Sequence, residues 1–293
     1  MNLFKRFTET IFLKTDSDLQ KKVDVLTRLQ AQYPANEKIK RDLTLYKLGL
    51  QGEKEIEFEL KNANLGLYVL HDVTLKYEDL TAQIDYVVVT RGKIYLIECK
   101  NMVGKITVNE RGDFIREVNE QKEGIYSPIR QAERHVEVLK KIWLSKGRLL
   151  DKLFTTGRFD NWYVPLVVMA NSKSVLNTRY APKEYKNKIV RADGLVNYIK
   201  QDIAAIDRDL LNSRKKMENI AQWILYLHTP LNEDYAKYTL AEEENALKPK
   251  LENLRVKLLE FRSEKAQKRK IPVNYIFTDN ELEKILEHLP QSI

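Results

Sequence analysis

The sequence predicts an α/β fold, a mixed central sheet flanked by helices, with helical N- and C-terminal extensions. Three observations predict it. Stretches with a 3.6-residue apolar period alternate with strand-like runs, which is the pattern of helices layered on a sheet. The runs "YVVV" and "IYLI" are apolar at consecutive positions, as in strands covered on both faces. Turn chemistry such as "NERGD" separates runs that alternate in polarity.

The composition sets the limits. At 43% hydrophobic and 31% charged over 293 residues, the chain reads as an ordinary soluble protein with room for one large domain plus extensions, or two modest ones. Its longest apolar run is the short "VPLVVMA" at 164–170, far below the roughly 20 residues of a membrane-spanning helix. The opening "MNLFKRFTETIFLK" lacks the apolar core of a signal peptide, so cytoplasmic residence is expected. One cysteine rules out an intramolecular disulfide, and no Cys/His cluster offers structural zinc. A formal charge of +8 permits a polyanionic partner without requiring one.

Taken in order, residues 17–46 are charged and helical in period, interrupted at "YPAN", which makes 1–46 a helical lead-in. In "GLQGEKEIEFELKNA", Ile56 and Leu60 sit at helical spacing, predicting a helix from near Gly52 to near residues 64–66. "LYVLHDVTL" reads as a strand, "TAQIDYVVVTRGKIYLIECKN" as two more, and "KITVNERGDFIREV" as a hairpin turning at 110–113. "SPIRQAERHVEVLKKIW" opens with Ser127 as N-cap and Pro128 at the first helical position, and Ile129, Ala132, Val136, Leu139 and Trp143 form one stripe. "WYVPLVVMAN" is a further strand and "NKIV" another, before helices through "GLVNYIKQDI" and "MENIAQWILYLHT". The domain limits expected are 1–46, an α/β domain at 47–230, and a basic helical region at 231–293.

Asp85, Glu98 and Lys100 interrupt the most apolar part of the chain. A hairpin of 84–89 with 93–98, centred between Arg91 and Gly92, places Asp85 directly opposite Glu98. Opposed residues on one face have Cβ atoms roughly 4.5–5.5 Å apart, and like charges there destabilise the pair. Both stay ionised at neutral pH only if positive charge lies between them, and a divalent cation answers this. Lys100 is on the same face about 7 Å along the strand, at a rise of roughly 3.3 Å per residue. Oxygen donors without nearby His or Cys favour Mg²⁺ or Mn²⁺ over zinc. Cys99 points the other way, into the core.

Together "GLQGEKEIEFEL", "LHDVTL", "QIDYVVV", "GKIYLIECKN" and "SPIRQAERHVEVL" resemble the NERD, or nuclease-related, domain over residues 48–143. That family is assigned to the PD-(D/E)xK nuclease superfamily. The resemblance implies a restriction-endonuclease-like core, Asp85 and Glu98 as metal ligands, Lys100 as catalytic lysine, and Glu53 as a helper carboxylate holding a second metal or a water. It also implies Gln131 as an accessory glutamine that contacts phosphate or the lysine. Gln83 shares the face of Asp85 and lines the site, while Arg130 and Arg134 are candidates for phosphate contact. Plainer readings stand beside these: Glu53 suits a first helical turn through the helix dipole, Gln131 lies off the apolar stripe, and His135 reads as structural.

The C-terminal "LRVKLLEFRSEKAQKRKIPVNYIFTDNELEKILEHLP" is similar to the first half of an HRDC domain, a small helical module of certain helicases and ribonucleases. Leu251, Leu254, Leu258 and Phe261 mark one helical face, Pro272 ends that helix, and Thr278 with Glu281 forms a capping box. The later helices of the module are missing from the sequence, so it is expected to be truncated. Seven basic residues at 255–270 face two acidic ones, making Arg262, Lys265, Lys268 and Arg269 candidate nucleic-acid contacts; a solvated helix end is the alternative. The function expected is a Mg²⁺- or Mn²⁺-dependent nuclease acting on nucleic acid, DNA before RNA. The alternative is a non-catalytic nucleic-acid-binding or scaffold protein that retains the fold.

Overall fold

The computed structural model describes residues 7–146, 159, 161–231, 234–238 and 240–287. Its strands are β1 (Thr10–Lys14), β2 (Leu67–Tyr77), β3 (Leu80–Val89), β4 (Ile94–Lys100), β5 (Lys105–Val108), β6 (Phe114–Val118), β7 (Gln121–Ile125), β8 (Tyr163–Met169), β9 (Val175–Asn177) and β10 (Ile189–Arg191). Its helices are α1 (Asp18–Gln32), α2 (Glu37–Lys61), α3 (Pro128–Lys146), α4 (Lys183–Lys186), α5 (Leu195–Ala204), α6 (Arg214–Leu227), α7 (Leu240–Arg269) and α8 (Asp279–Glu287). The chain divides into two compact units, residues 1–28 with 40–232, and residues 29–39 with 233–293.

The first unit is an α/β layer structure. Its larger sheet has six strands in the order β1-β2-β3-β4-β8-β10. β2, β3 and β4 run antiparallel as a meander, while β1 pairs parallel with β2, β8 with β4 and β10 with β8, so the sheet is mixed. A second sheet of four strands, β7-β6-β5-β9, continues from the end of β4. The central strands are covered on both faces, which explains their unbroken apolar runs. Leu70, Val87 and Leu96 pack with Leu139 of α3 and Ile224 of α6. On the opposite face Tyr86, Val88 and Tyr95 pack with Ile56 and Leu60 of α2 and Leu195 and Ile199 of α5. Each such side chain contributes roughly 1.5–3 kcal/mol by leaving water.

The α3 stripe is as the spacing predicts: Ile129, Ala132, Val136 and Leu139 are buried and Trp143 is partly so. One expectation fails at α2. The helix does not begin near Gly52 but at Glu37, and Gly52 lies inside it. The glycine serves a close approach instead of a helix start. A Cβ there would stand 2.7 Å from Cβ of Asn101 and 3.1 Å from Sγ of Cys99, so its absence lets α2 lie directly against the end of β4.

In the second unit, α7 ends at Arg269 before Pro272, and Arg255 donates to Glu283 of α8 at 2.6 Å. The capping box forms: Thr278 N–H donates to Oε2 of Glu281 at 2.7 Å, and Glu281 N–H to Oγ1 of Thr278 at 3.2 Å. Phe261 departs from the expected face and is 47% exposed. Four residues on from Leu258 the helical period reaches Arg262 and then buried Ala266, which leaves Phe261 to the side, under the ammonium of Lys265.

Candidate active site

The site grows out of the β3–β4 hairpin. Its turn is closed by Thr90, whose N–H donates to the carbonyl of Lys93 at 2.9 Å and whose Oγ1 accepts from the amides of Gly92 and Lys93 at 3.1 and 2.9 Å. This fixes the register: Val89 pairs with Ile94, and pairing continues to Tyr86 with Ile97. The next rung in that register is Asp85 with Glu98, and there the ladder stops. In its place Oδ2 of Asp85 accepts the backbone N–H of Cys99 at 2.6 Å. A carboxylate oxygen thus takes the role of a backbone carbonyl, and the strands separate without leaving that amide unsatisfied.

The same rung is a fault line in β2 and β3. Ala82 and Ile84 share a core with Val87 and Val89, and Leu70 shares it with Val73, so the strict alternation of faces slips in both strands. Asp72, at the slip in β2, is left-handed at φ 54°. Its carboxylate accepts from the amide of Asp18 at the start of α1 and, at 2.9 Å, from Nε2 of Gln83.

On the α3 side, Nζ of Lys100 donates to Oε1 of Glu98 at 2.5 Å and to Oε1 of Gln131 at 3.2 Å. Glu98 is 3% exposed, and its second oxygen, Oε2, has no hydrogen-bond partner among the described residues. Nδ1 of His135 stands 3.8 Å from that oxygen and is also unpartnered. Burial, then the charges of Glu98 and Glu53, hold the Asp85 carboxyl well above its ordinary range. Burial also raises Glu98, against the pull of Lys100. For Lys100 burial works downward, yet the charge and hydrogen bond of Glu98, with Asp85 behind, raise it and keep it cationic. His135 is lowered to about 4 by burial and then by Lys100 and Arg134, which leaves it neutral at physiological pH.

Glu53 reaches the site from α2. It is buried, and its charge acts on both Asp85 and Glu98. Its Oε2 lies 2.7 Å from Nε2 of His71 and 3.5 Å from Oγ of Ser17, and its carbonyl accepts from the Tyr86 hydroxyl at 2.9 Å.

Residues 48–170 match the family model of the nuclease-related domain, NERD, and residues 252–293 match that of the HRDC domain. The NERD match covers less than half of the chain. Every side chain from Glu53 to Gln131 described above falls within that match. An uncharacterized protein of Bacillus anthracis is 29% identical over 120 residues, or 40% of this chain; the match spans 55% of that protein, little more than half its length. No solved structure matches the chain.

Within the stretch that matches NERD, Asp85, Glu98, Lys100 and Gln131 come together, and Glu53 stands beside them through its charge. Gln83 lines a groove together with Asp85 and Gln131, but its amide donates to Asp72. Arg134 lines it too, with its guanidinium 4.9 Å from the centre of the Tyr126 ring. Arg130 is exposed and does not line that groove. In the other unit Lys265, Lys268 and Arg269 are exposed, whereas Arg262 bonds Asp279 at 2.6 Å and the Phe277 carbonyl at 3.3 Å, with its side chain 12% exposed.

Three participants escaped sequence reading: His71, Asp72 and Ser17. A signal existed for two, since "HD" interrupts the apolar strand "LYVLHDVTL" as the acids do in β3 and β4. His135 was legible only as a structural residue, because its proximity to Glu98 depends on how α3 crosses β4.

The donors fit a divalent cation of the Mg²⁺ type. An unpartnered buried carboxylate oxygen on Glu98 beside a second costly carboxylate is what such an ion would satisfy. Among the described residues no three His, Cys, Asp or Glu side chains cluster as a ready metal cage.

Proposed function

We propose that the NERD domain is a metal-dependent nuclease that hydrolyses phosphodiester bonds, with DNA as the substrate, and that Asp85 and Glu98 hold a Mg²⁺ or Mn²⁺ ion. The observation that carries this reading is buried Glu98 paired with half-buried Lys100 and set against Asp85 where the β3–β4 ladder opens. When bound, the ion supplies Lewis acidity and offsets negative charge at the phosphate. Lys100, kept cationic by Glu98, donates to a phosphate oxygen or to the attacking water as charge develops. Gln131 fixes the position of its Nζ. Such a preorganised donor is worth roughly 10²–10³ in rate. Glu53 is held by His71 and adds a third negative charge that favours the cation. The HRDC match and the exposed Lys265, Lys268 and Arg269 support nucleic-acid contact by the second unit as well.

The rival is a nucleic-acid-binding protein that keeps the fold without turnover. Incubation of the purified chain with linear, circular and single-stranded DNA in Mg²⁺, Mn²⁺ or EDTA separates the two, beside Glu98→Ala and Lys100→Ala. Cleavage that needs the cation and is lost in both variants supports the nuclease. Cleavage surviving both places the chemistry elsewhere, and salt-sensitive binding without cleavage supports the rival.

A further inference from the structure

Beside the acidic pair a groove of about 690 Å³ runs between β3 and α3. Asp85 and Gln131 are among its lining residues, so the groove adjoins the proposed active site. Ala82 and Val138 give it an apolar floor, and Leu80, 41% exposed, stands at its rim. Arg134 and Lys141 place two cations along the helix wall, with Glu137 between them in sequence. Tyr126 adds an aromatic ring that is 56% exposed. Arg134 stacks on this ring at 4.9 Å, which holds an exposed aromatic side chain in one orientation at the groove.

We infer that this groove binds an unpaired nucleotide adjoining the scissile phosphate, with Tyr126 stacking on the base and Arg134 and Lys141 engaging the flanking phosphates. The inference rests on the nucleic-acid reading above and narrows its substrate to single strands, frayed ends or flaps. The physical reasons are three. An aromatic face rewards only a base whose own face is free, and in a duplex interior that face is already stacked. The volume lies within the roughly 300–1,000 Å³ of clefts that enclose small ligands, the scale of a nucleotide and not of a double helix. Finally, Glu98 is 3% exposed and lies behind the groove-lining Asp85, so a phosphate must bend inward to approach it, which a flexible single strand does more readily than a stacked duplex. Aromatic ring and cations together make the arrangement of sequence-tolerant single-strand binding.

The test is fluorescence anisotropy of the full chain in EDTA, where turnover cannot contribute. The probes are a labelled mixed-sequence DNA strand, the RNA strand of the same sequence, and the DNA strand annealed to its complement. The variants are Tyr126→Ala, Tyr126→Phe and Lys141→Ala; Tyr126 is exposed, so its loss leaves the core intact. We expect one or both single strands to bind more tightly than the duplex, and Tyr126→Ala to weaken that binding about tenfold, the scale of one lost base stack. Tyr126→Phe keeps the affinity, Lys141→Ala reduces its salt dependence, and duplex binding changes less than twofold in Tyr126→Ala. Single-strand affinity unchanged in Tyr126→Ala, or equal losses on single strand and duplex, overturns the inference. Because binding is read without the cation, an inactive wild type whose strand binding still depends on Tyr126 removes the nuclease reading and leaves the groove. Cation-dependent cleavage with no Tyr126 effect does the reverse.

Discussion

Asp85 accepts the backbone amide of Cys99 at 2.6 Å at the rung where backbone pairing between β3 and β4 has ended. One carboxylate therefore has two tasks, satisfying a strand amide and presenting negative charge to the site. The two can be separated by substitution. Asp85→Asn keeps an acceptor for the amide and removes a half-buried charge, whereas Asp85→Ala leaves the amide without a partner, at a cost of about 1–3 kcal/mol. In urea denaturation with EDTA, Asp85→Asn is expected to be at least as stable as the wild type and Asp85→Ala less stable than Asp85→Asn. Both are expected to lack cleavage.

Lys100 bridges Glu98 and Gln131, and the two contacts are unequal at 2.5 and 3.2 Å. Lys100→Ala is expected to lower the cleavage rate by roughly 10²–10³, the loss of one preorganised donor. Gln131→Ala removes only the group that positions it, and a loss of about tenfold is expected. Single-turnover rates at saturating cation measure both; a larger effect at Gln131 than at Lys100 would reverse the assigned roles.

His71 and Glu53 form a buried pair at 2.7 Å, with the imidazole stacked on Tyr86 at a centroid distance of 4.5 Å. His71→Ala strands a buried carboxylate and is expected to cost on the order of 3 kcal/mol. Adding Glu53→Gln should recover part of that loss, because the stranded charge is gone. A double-mutant cycle in urea reads the coupling, and additive losses would mean that the pair is not coupled.

His135 carries a pH signature. Its folded-state value of about 4 lies below the ordinary 6.5, so between those values the unfolded chain binds the proton and the folded chain does not. Its contribution to stability is present above pH 6.5 and is lost as pH falls towards 4, amounting to roughly 3 kcal/mol at most. Melting curves of wild type and His135→Leu across this range are expected to show the steeper acid decline in the wild type. Parallel declines would mean that His135 is solvated.

The alternating apolar and amphipathic stretches made the meander and α3 legible in the sequence, because burial on both faces leaves no other pattern for strands 80–100. The hairpin register was legible too, since its turn is closed by local contacts of Thr90. β1, β7 and β9 were not. β7 is the edge strand "QKEGI", mostly exposed, and it carries no apolar signal to read. β1 is held by parallel pairing with a strand more than fifty residues away, which no local pattern encodes. The same reason hid His71 and Asp72: their roles depend on α2 and α1 folding back onto β2. Gly52 was misread as a helix start because local propensity cannot tell a break from a close approach.

The central claim is that the open end of the β3–β4 ladder holds a divalent cation, and a calorimetric Mn²⁺ titration of the full chain tests it most directly. Wild type is expected to bind Mn²⁺, and Glu98→Gln and Asp85→Asn each to weaken that binding at least tenfold while both variants remain folded by circular dichroism. Equal Mn²⁺ affinity in the wild type and both variants, or none in the wild type, would contradict the claim.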